Sequence, residues 1–330
     1  MYLTADERRR IVTPPDLPAA LRRLLIQIPA GQVVSFGDLA EALGDLKAAR
    51  WVATELQELY PDEFPIHRVI RRTGMVVESR RLSLADRISR LRSEGVVVED
   101  DAVKQYPREF VWRSTSQPLA DLQTLQMRLA ELVTQTPLDT LPEHIAGVDV
   151  SYAADNRAVA AYTIVDTASG DLLHHELLTA EVTFPYIPGY LAFRELPLYD
   201  RLLDRVRAAG RLEPWLLVDG NGILHPRRAG IATMLGCLAD VRTVGVSKHL
   251  LCGKVGTATD SRAEVRAADG SLLGYRLQRT SKRSTLYISP GTGIDVTGAL
   301  KLTESQLRGR RLPEPIFHAD RLSRQTARRL

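Results

Sequence analysis

The 330-residue sequence contains no apolar run that approaches the ~18 residues needed to span a bilayer. Its first residues, MYLTADERRRIVTPPD, are charged and lack the apolar segment and small-residue cleavage site of a secretory signal. Only two cysteines occur, Cys237 and Cys252, and their spacing matches no CxxC or Cys/His metal site. We therefore expect a cytoplasmic protein whose two cysteines are ordinary, partly buried thiols.

Hydrophobic residues make up 44% of the sequence and charged residues 25%, which is typical of a globular protein with sizeable cores. The length favours two domains. Basic residues exceed acidic residues by 44 to 40, and arginines form clusters at 71–72, 80–81, 227–228 and 308–311. Such clusters suit the phosphate backbone of a nucleic acid, although solvated surface arginine is an equally good interpretation of any one of them.

Turn-forming and apolar segments divide the chain into two predicted domains. The first, residues 1–112, is predicted to be mainly helical. The polar stretch RSTSQP at 113–118 is the predicted linker. From residue 119 to residue 330, strand-like runs such as IAGVDVSY and PWLLVDG alternate with helical patterns, which predicts a mixed α/β domain. No internal repeat or low-complexity tract is visible.

The segment Pro29–Thr54 has the pattern of two short helices joined by a turn. Ser35 can cap a helix FGDLAEAL, Gly44 can end it, and Asp45 can cap the next helix, LKAARWVATELQEL. Two short helices around a glycine-containing turn are a DNA-binding arrangement, but they are also a common packing unit. The pattern alone leaves both interpretations open.

The residues of this first domain resemble the DNA-binding domain of O6-alkylguanine-DNA alkyltransferases. The resemblance covers about residues 20–112 and includes FPIHRVIRRTG, in which Pro65 to Val69 match the family's Pro-Cys-His-Arg-Val. Ile66 stands where the family has its reactive cysteine. Alkyl transfer needs a thiolate nucleophile, so the closer resemblance is to the alkyltransferase-like proteins, which keep the fold and replace this cysteine.

That resemblance implies recognition of O6-alkylguanine in DNA without repair. The damaged base is expected to leave the stack and to occupy an apolar pocket lined by Ile66. Arg50 matches the arginine that fills the gap left in the duplex, and Phe36 stands where the family usually has a tyrosine that helps to rotate the phosphate. Arg68 of the hallmark is also counted among the expected DNA contacts, whereas His67 is read as a histidine that stabilises the turn.

Two aspartates in the second half lie in apolar, strand-like runs. Asp149 is in IAGVDVSY and Asp219 ends WLLVDG. Because an unpaired buried carboxylate is costly, each needs a cation or a hydrogen-bond donor nearby. A shared Mg²⁺ would meet that need, since this ion binds a few carboxylates together with water. Each aspartate could instead cap a strand end. Glu195, on a predicted helix, is the natural third acid.

Five ordered segments, VDVSY, FPYIPGYLAFRE, VDGNGILHPRRAGIATMLG, VGVSKHLLCG and LYISPG, resemble endonuclease V over about residues 119–330. The resemblance implies a ribonuclease-H-like fold and a nuclease that nicks DNA near deoxyinosine. It implies Mg²⁺ or Mn²⁺ bound by Asp149, Glu195 and Asp219. The resemblance also implies that Tyr186 is a wedge that enters the strand at the lesion. It places His225 and Lys248 near the scissile phosphate, and Gly220 and Gly222 in a loop that approaches the lesion base.

One departure from the family pattern concerns Thr292, where the resemblance expects a histidine that assists the metal site. The leading hypothesis is that the first domain holds an alkylated guanine while the second nicks nearby, leaving a 5′ phosphate and a 3′ hydroxyl. A rival hypothesis is a non-catalytic damage-binding protein that recruits excision-repair proteins, its nuclease impaired at Thr292. Cleavage of inosine in RNA is a third possibility.

Overall fold

The computed structural model describes residues 3–104, 110–113, 116–278 and 285–330. Within these residues, no helix combines the length and apolar character needed to cross a membrane. Cys237 and Cys252 are both free and half-buried, in agreement with the prediction of ordinary thiols.

By packing, the chain divides into two compact units. The first unit consists of Pro15–Thr124 together with Phe184–Pro188. The second consists of Met1–Pro14, Leu125–Thr183 and Gly189–Leu330. The packing division thus assigns three segments, residues 1–14, 113–124 and 184–188, differently from the predicted boundaries, and those boundaries remain a prediction.

Ten α-helices and thirteen β-strands occur in the described residues. The helices are α1 (Ala5–Val12), α2 (Leu17–Leu25), α3 (Phe36–Ala42), α4 (Ala49–Glu55), α5 (Leu84–Ser93), α6 (Pro118–Ala130), α7 (Leu191–Ala208), α8 (Ile231–Ala239), α9 (Val296–Ser305) and α10 (Glu314–Ala327). The strands are β1 (Val34–Ser35), β2 (Val69–Ile70), β3 (Val98–Glu99), β4 (Ala102–Val103), β5 (His144–Tyr152), β6 (Arg157–Asp166), β7 (Leu172–Glu181), β8 (Trp215–Asp219), β9 (Arg242–Ser247), β10 (Lys254–Val255), β11 (Arg262–Arg266), β12 (Leu272–Gln278) and β13 (Thr285–Thr292).

The first unit is mainly helical, and it contains the predicted helix-turn-helix. The Ser35 side chain accepts a hydrogen bond from the Asp38 amide at the start of α3, and the Asp38 carboxylate accepts one from the Ser35 amide, which forms a capping box. Gly44 follows the helix at φ +104°, a conformation that favours glycine. Asp45 caps a 3₁₀ turn that precedes α4, so the second helix is shorter than predicted.

The second unit is built on one nine-stranded mixed sheet, which confirms the predicted α/β class. The strand order is β10-β11-β12-β13-β9-β8-β5-β6-β7. Strands β5, β8 and β9 run parallel to one another, and the remaining pairs are antiparallel. Strand β7 was not predicted: half of its ten residues are polar or charged, and all but one of its residues are half-buried or exposed.

Helix α10 packs closely against β5 and β6. Gly147 on β5 permits this approach, because a Cβ atom there would lie 2.4 Å from the carbonyl carbon of Pro315. Ile316 of α10 and Leu300 of α9 join the core formed by Ile145 and other strand residues. The glycine thereby places the C-terminal helix directly over the strand that carries Asp149.

Helix α1 belongs to the second unit although it precedes the first unit in the chain. Ile11 of this helix is fully buried. The Arg8 guanidinium pairs with Asp200 on α7 and donates a hydrogen bond of 2.9 Å to the carbonyl oxygen of Leu238 on α8. The second unit therefore contains an N-terminal element that the sequence placed with the first domain.

Substitution Ile11→Ala should lower the free energy of unfolding of the second unit by about 2–5 kcal/mol, because it leaves a cavity beneath α1. Chemical denaturation, with hydrogen exchange of the α7 and α8 amides to identify the unit, measures the loss. Arg9→Ala is the control: its side chain is 75% exposed, so a change below about 0.5 kcal/mol is expected. Equal stabilities for the two variants would contradict the assignment of α1 to this unit.

Candidate functional site

Three carboxylates converge at one end of the parallel strands. Asp149 lies on β5, and Asp219 ends β8, next to β5, with Val148 paired to Val218. Asp320 comes from α10, which packs over β5. One carboxylate oxygen from each of the three aspartates lies within 4.8 Å of the other two. This spacing is suited to a shared divalent cation.

The bonds already made by these aspartates leave room for such an ion. Asp149 Oδ2 accepts a 2.9 Å hydrogen bond from Ser323, Asp219 Oδ2 pairs with Lys248, and Asp320 Oδ1 pairs with Arg324. Within the described residues these bonds use one oxygen of each carboxylate. The second oxygen of each therefore remains available, and three carboxylate oxygens form a hard donor set of the kind that Mg²⁺ and Mn²⁺ prefer.

The electrostatics of the cluster also favour a cation. Burial raises the pKa of Asp149 well above its ordinary value, and the neighbouring charges of Asp219, Asp320 and Glu195 raise that pKa further. The hydrogen bond from Ser323 opposes the shift. A divalent ion would remove the repulsion and favour the ionised form of Asp149.

Glu195 lies beside this cluster rather than within it. Its side chain, on α7, is buried and accepts a 2.7 Å hydrogen bond from the hydroxyl of Tyr152. Burial raises the pKa of Glu195 to about 8; the hydrogen bond from Tyr152 lowers it, and the charge of Asp219 raises it further. Glu195 is thus coupled electrostatically to the aspartates, and its predicted role as a metal ligand remains a prediction.

Lys248 lies at the acidic cluster and Tyr186 is exposed, and the roles predicted for both remain predictions. The ammonium of Lys248 lies 2.6 Å from Asp219 Oδ2, which puts a positive charge at the edge of the acidic cluster. Tyr186 is 64% exposed in the segment Phe184–Pro188. An aromatic ring with this exposure can reach a bound strand.

His225 is held by hydrogen bonds at both ring nitrogens. Its Nδ1 accepts a hydrogen bond from the amide of Arg227, and its Nε2 donates to the carbonyl oxygen of Gly189. The imidazole is also buried. These contacts favour a positioning role over the direct role near the phosphate that the resemblance implied.

The two predicted lesion-loop glycines occupy tightly packed positions after β8. A Cβ atom on Gly220 would lie 2.4 Å from the Ile231 side chain, and one on Gly222 would lie 2.0 Å from the Pro290 carbonyl oxygen. The Gly222 amide also donates to Ser289 Oγ. Close packing therefore explains both glycines, and contact with a lesion base remains a prediction for this loop.

In the first unit, Ile66 is fully buried in a short 3₁₀ turn. A shallow polar cavity of about 300 Å³ lies next to this turn, lined in part by Phe64, Pro65, His67 and Arg68. Ile66 does not line this cavity. The predicted apolar pocket would thus need rearrangement of the residues around Ile66.

His67 and Arg68 form a compact ionic network with Glu94. The Arg68 guanidinium donates to both carboxylate oxygens of Glu94 and, at 2.6 Å, to the carbonyl oxygen of Ile28. His67 Nε2 lies 2.8 Å from Glu94 Oε1. This network ties the 3₁₀ turn to the end of α5, so the bonds of Arg68 favour a structural role over the predicted DNA contact.

Phe36 and Arg50, the other predicted DNA contacts, lie on the two helices of the helix-turn-helix. Phe36 begins α3 and is half-buried. Arg50, near the start of α4, is exposed, as an arginine that enters a duplex must be. Both roles remain predictions.

Two family models match the chain, and together they cover the regions described above. Residues 127–321, more than half of the chain, match the family described as Endonuclease V. Residues 17–96 match the 6-O-methylguanine DNA methyltransferase, DNA binding domain. The chain belongs to the endonuclease V family. It also carries an alkyltransferase-type DNA-binding domain ahead of the endonuclease V region, so both predicted resemblances are confirmed.

Similar proteins include one relative that spans nearly the whole chain and two endonuclease V proteins that cover about two thirds of it. A bifunctional methyltransferase/endonuclease of Thermoplasma volcanium is 33% identical and covers 94% of this chain and 90% of its own length. An endonuclease V of Ignicoccus hospitalis is 38% identical over 62% of this chain and 94% of its own length. The solved catalytic domain of human endonuclease V is 31% identical, with a TM-score of 0.58, and covers 66% of this chain and 98% of that domain.

Asp320 is the member of the acidic cluster that was not predicted from the sequence. In the sequence it lies four residues before Arg324, which is the pattern of a solvated helical ion pair. Its partners in the cluster lie about 100 and 170 residues earlier in the chain. Only the packing of α10 on β5 shows that Asp320 faces Asp149, although Ser323, one turn further on, is a weak signal of a polar face.

Thr292, at the position where the resemblance expects a histidine that assists the metal site, lies away from the acidic cluster. Thr292 pairs with Thr243 on β9, whereas Asp219 pairs with Val246 on the same strand. Thr243 and Val246 are three residues apart on β9, which is a distance of about 10 Å along the strand. Thr292 instead accepts a 3.1 Å hydrogen bond from the amide of Thr134. It lies towards the opposite end of the strands from the acidic cluster.

Lowering the pH should destabilise the first unit through Glu94. Burial opposes ionisation of this group, but hydrogen bonds from Arg68, His67 and the Gly31 amide lower its pKa from 4.5 to about 2. A lowered folded-state pKa means that the stabilisation is present above pH 4.5 and is lost as the pH falls towards 2. Urea denaturation across this range measures the loss.

The matched variants for this pH test are Glu94→Gln and Glu99→Gln. Glu94→Gln should lower stability at pH 7 and flatten the decline between pH 4.5 and 2. Glu99 is exposed on β3, and its variant should keep the wild-type profile. A wild-type pH profile for Glu94→Gln would contradict the role assigned to the network.

Substitution Thr292→His should leave nicking by the second unit nearly unchanged. A histidine about 10 Å from Asp219 along the strands cannot bind the same ion. We expect a change below about two-fold in single-turnover nicking, which is under ~0.5 kcal/mol of activation free energy. Thermal denaturation of the variant controls for misfolding. A large gain in activity would show that the missing histidine limits the reaction.

Proposed function

We propose that this protein is a DNA-repair nuclease that joins a non-catalytic lesion reader to a metal-dependent nicking domain. The observation that carries the proposal is the cluster of Asp149, Asp219 and Asp320, with one oxygen of each carboxylate left available. Membership of the endonuclease V family supports the nuclease part. The alkyltransferase-type domain supports DNA as the partner of the first unit.

The first unit is proposed to recognise O6-alkylguanine by base flipping, without transferring the alkyl group. Ile66 offers no nucleophile, whereas the Thermoplasma relative is named for a methyltransferase activity as well as an endonuclease activity. Arg50 is exposed and free to enter the duplex in place of the flipped base. Ile66 can contact the alkyl group only if the turn around it opens on binding.

The second unit is proposed to nick DNA near deoxyinosine or another damaged base. Asp149, Asp219 and Asp320 would hold Mg²⁺, with Mn²⁺ as an alternative, and Glu195 would assist from α7. When bound, such an ion lowers the pKa of water and stabilises charge on the phosphate. Lys248 would contact the phosphate from the edge of the cluster, and Tyr186 would enter the strand beside the lesion.

The proposed reaction leaves a 5′ phosphate and a 3′ hydroxyl. Lys248 provides a positive charge beside the phosphate, where negative charge increases during attack. Ser323 fixes one oxygen of Asp149, so that the other can face the ion. The rival hypothesis of a nuclease disabled at Thr292 loses its basis, because Thr292 lies away from the cluster.

A nicking assay on three labelled duplexes tests the proposal: one with deoxyinosine, one with O6-methylguanine and one undamaged. We expect nicking near each lesion in Mg²⁺ or Mn²⁺, none in chelator, and ends that a ligase can reseal. Asp149→Asn and Asp320→Asn should each lower the rate by about 10- to 100-fold or more, since loss of an outer-shell partner of a metal alone costs that much. Asp204→Asn, on the exposed side of α7, is the matched control.

Two further measurements test the roles of the first and second units separately. Arg50→Ala should weaken nicking at O6-methylguanine and spare nicking at deoxyinosine, because it removes the residue that replaces the flipped guanine. No radiolabelled methyl group should pass to the protein. Full activity of Asp149→Asn, or methyl transfer to the chain, would refute the corresponding half of the proposal. Comparison with an RNA strand containing inosine decides the nucleic-acid preference.

A further inference from the structure

A buried group of polar side chains surrounds the carbonyl oxygen of Gly189. Arg227 donates to this oxygen at 2.7 Å, and Gln126 and His225 each lie 3.2 Å from it. We call Gln126, His225 and Arg227 the Gly189 hub. All of its members belong to the second unit. None of them is a carboxylate of the metal cluster.

Gln126 is the centre of this hub and comes from α6, which the sequence analysis gave no role in the site. Its side chain is 1% exposed. Oε1 accepts a 2.7 Å hydrogen bond from Arg227 Nε, and Nε2 donates to the carbonyl oxygens of Gly189 and Ala229, the latter at 3.1 Å. Only a side chain with one acceptor and two donors satisfies these three partners. Glutamate lacks the donors, and methionine lacks both.

The donors and acceptors of His225 and Arg227 are also matched to their partners. His225 Nδ1 accepts from the amide of Arg227, so Nε2 carries the proton that it donates to Gly189. The Arg227 guanidinium also lies over the ring of Tyr190, 4.7 Å from its centroid. Gly189 has φ +87°, and a Cβ atom there would lie 3.1 Å from the guanidinium. The backbone at Gly189 is therefore held in one conformation.

The hub lies, within the second unit, between the backbone that leads into α7 and the loop that the resemblance assigns to the lesion base. Gly189 directly follows Phe184–Pro188, which carries the exposed Tyr186, and it precedes α7 with Glu195. Ala229 and Gly230 pack beneath the loop of Gly222, since the Gly230 amide donates to the Gly222 carbonyl oxygen at 3.1 Å. One glutamine amide thus connects the carbonyl group of Gly189 to that of Ala229, which lies beneath the lesion loop.

We propose that Gln126 is a positioning residue for lesion recognition, acting through Gly189 and Arg227. By bonding both Gly189 and Ala229, it fixes the backbone that leads into α7 relative to the loop of Gly220 and Gly222 that is predicted to receive the lesion base. The proposal rests on the function proposed above for the second unit. It makes selectivity for damaged DNA depend on a residue of α6 that touches neither the metal cluster nor the DNA.

The test compares Gln126→Met and Gln126→Glu with Met127→Ala, whose side chain is 52% exposed on the same helix. Affinity is measured in calcium, without cleavage, for a duplex with one deoxyinosine and for the undamaged duplex. Both Gln126 variants should bind the deoxyinosine duplex about ten-fold more weakly, the effect of roughly one lost buried hydrogen bond. Affinity for undamaged duplex should change less than about two-fold, and Met127→Ala should match wild type.

Hydrogen exchange in the free protein provides a readout that does not depend on the substrate. The amides of residues 189–192 should exchange faster in both Gln126 variants, while those of β5 keep their wild-type rates. A general loss of stability would instead raise exchange in both places. Arg227→Lys serves as a second variant, because it keeps the charge but lacks the Nε donor to Gln126.

A double-mutant cycle with Gln126→Met and Arg227→Lys completes the test. The effects on deoxyinosine affinity should be strongly non-additive, because both substitutions remove the same contact. Additive effects, unchanged exchange at residues 189–192, or an equal loss of affinity for both duplexes would overturn the positioning role. Failure of the wild-type protein to nick deoxyinosine DNA would count against the proposed function alone, since the exchange result stands without it.

Discussion

The mutual repulsion of Asp149, Asp219 and Asp320 is the constraint on which the second unit's site depends. Three carboxylates with oxygens within 4.8 Å of one another are unfavourable in a half-buried position unless cations are close. Lys248 and Arg324 supply two positive charges at the edges, and burial still raises the pKa of Asp149 well above normal. A fold that kept such a cluster for stability alone would gain more from apolar residues.

The fold maintains this cluster through backbone geometry rather than through side-chain adjustment. Parallel pairing of β5 with β8 puts Asp149 and Asp219 on adjacent strands, and the register of Val148 with Val218 sets their depth. Gly147 then allows α10 to approach closely enough for Asp320 and Ser323 to face Asp149. Residues far apart in the chain are thus brought together by the register of β5 with β8 and by the absence of a Cβ atom at Gly147.

The sequence predicted those parts of the molecule that follow from local chemistry. Caps at Ser35 and Asp45, and apolar runs around Asp149 and Asp219, depend only on neighbours, so those elements were found. Asp320 was missed because its environment comes from helix packing across the chain. Thr292 was misplaced because a family position was assumed to lie near the metal, and only the pairing of β13 with β9 shows otherwise.

The first unit shows why a retained motif does not imply retained chemistry. His67, Arg68 and Glu94 surround the place of a lost nucleophile, yet their bonds to one another and to Ile28 connect the 3₁₀ turn with α5. Removing one partner of a partly buried ionic network leaves the others unpaired, which costs more than the network contributes as a whole. Replacement of the nucleophile by Ile66 removes no member of this network. The binding role proposed for this scaffold therefore does not depend on a nucleophile at position 66.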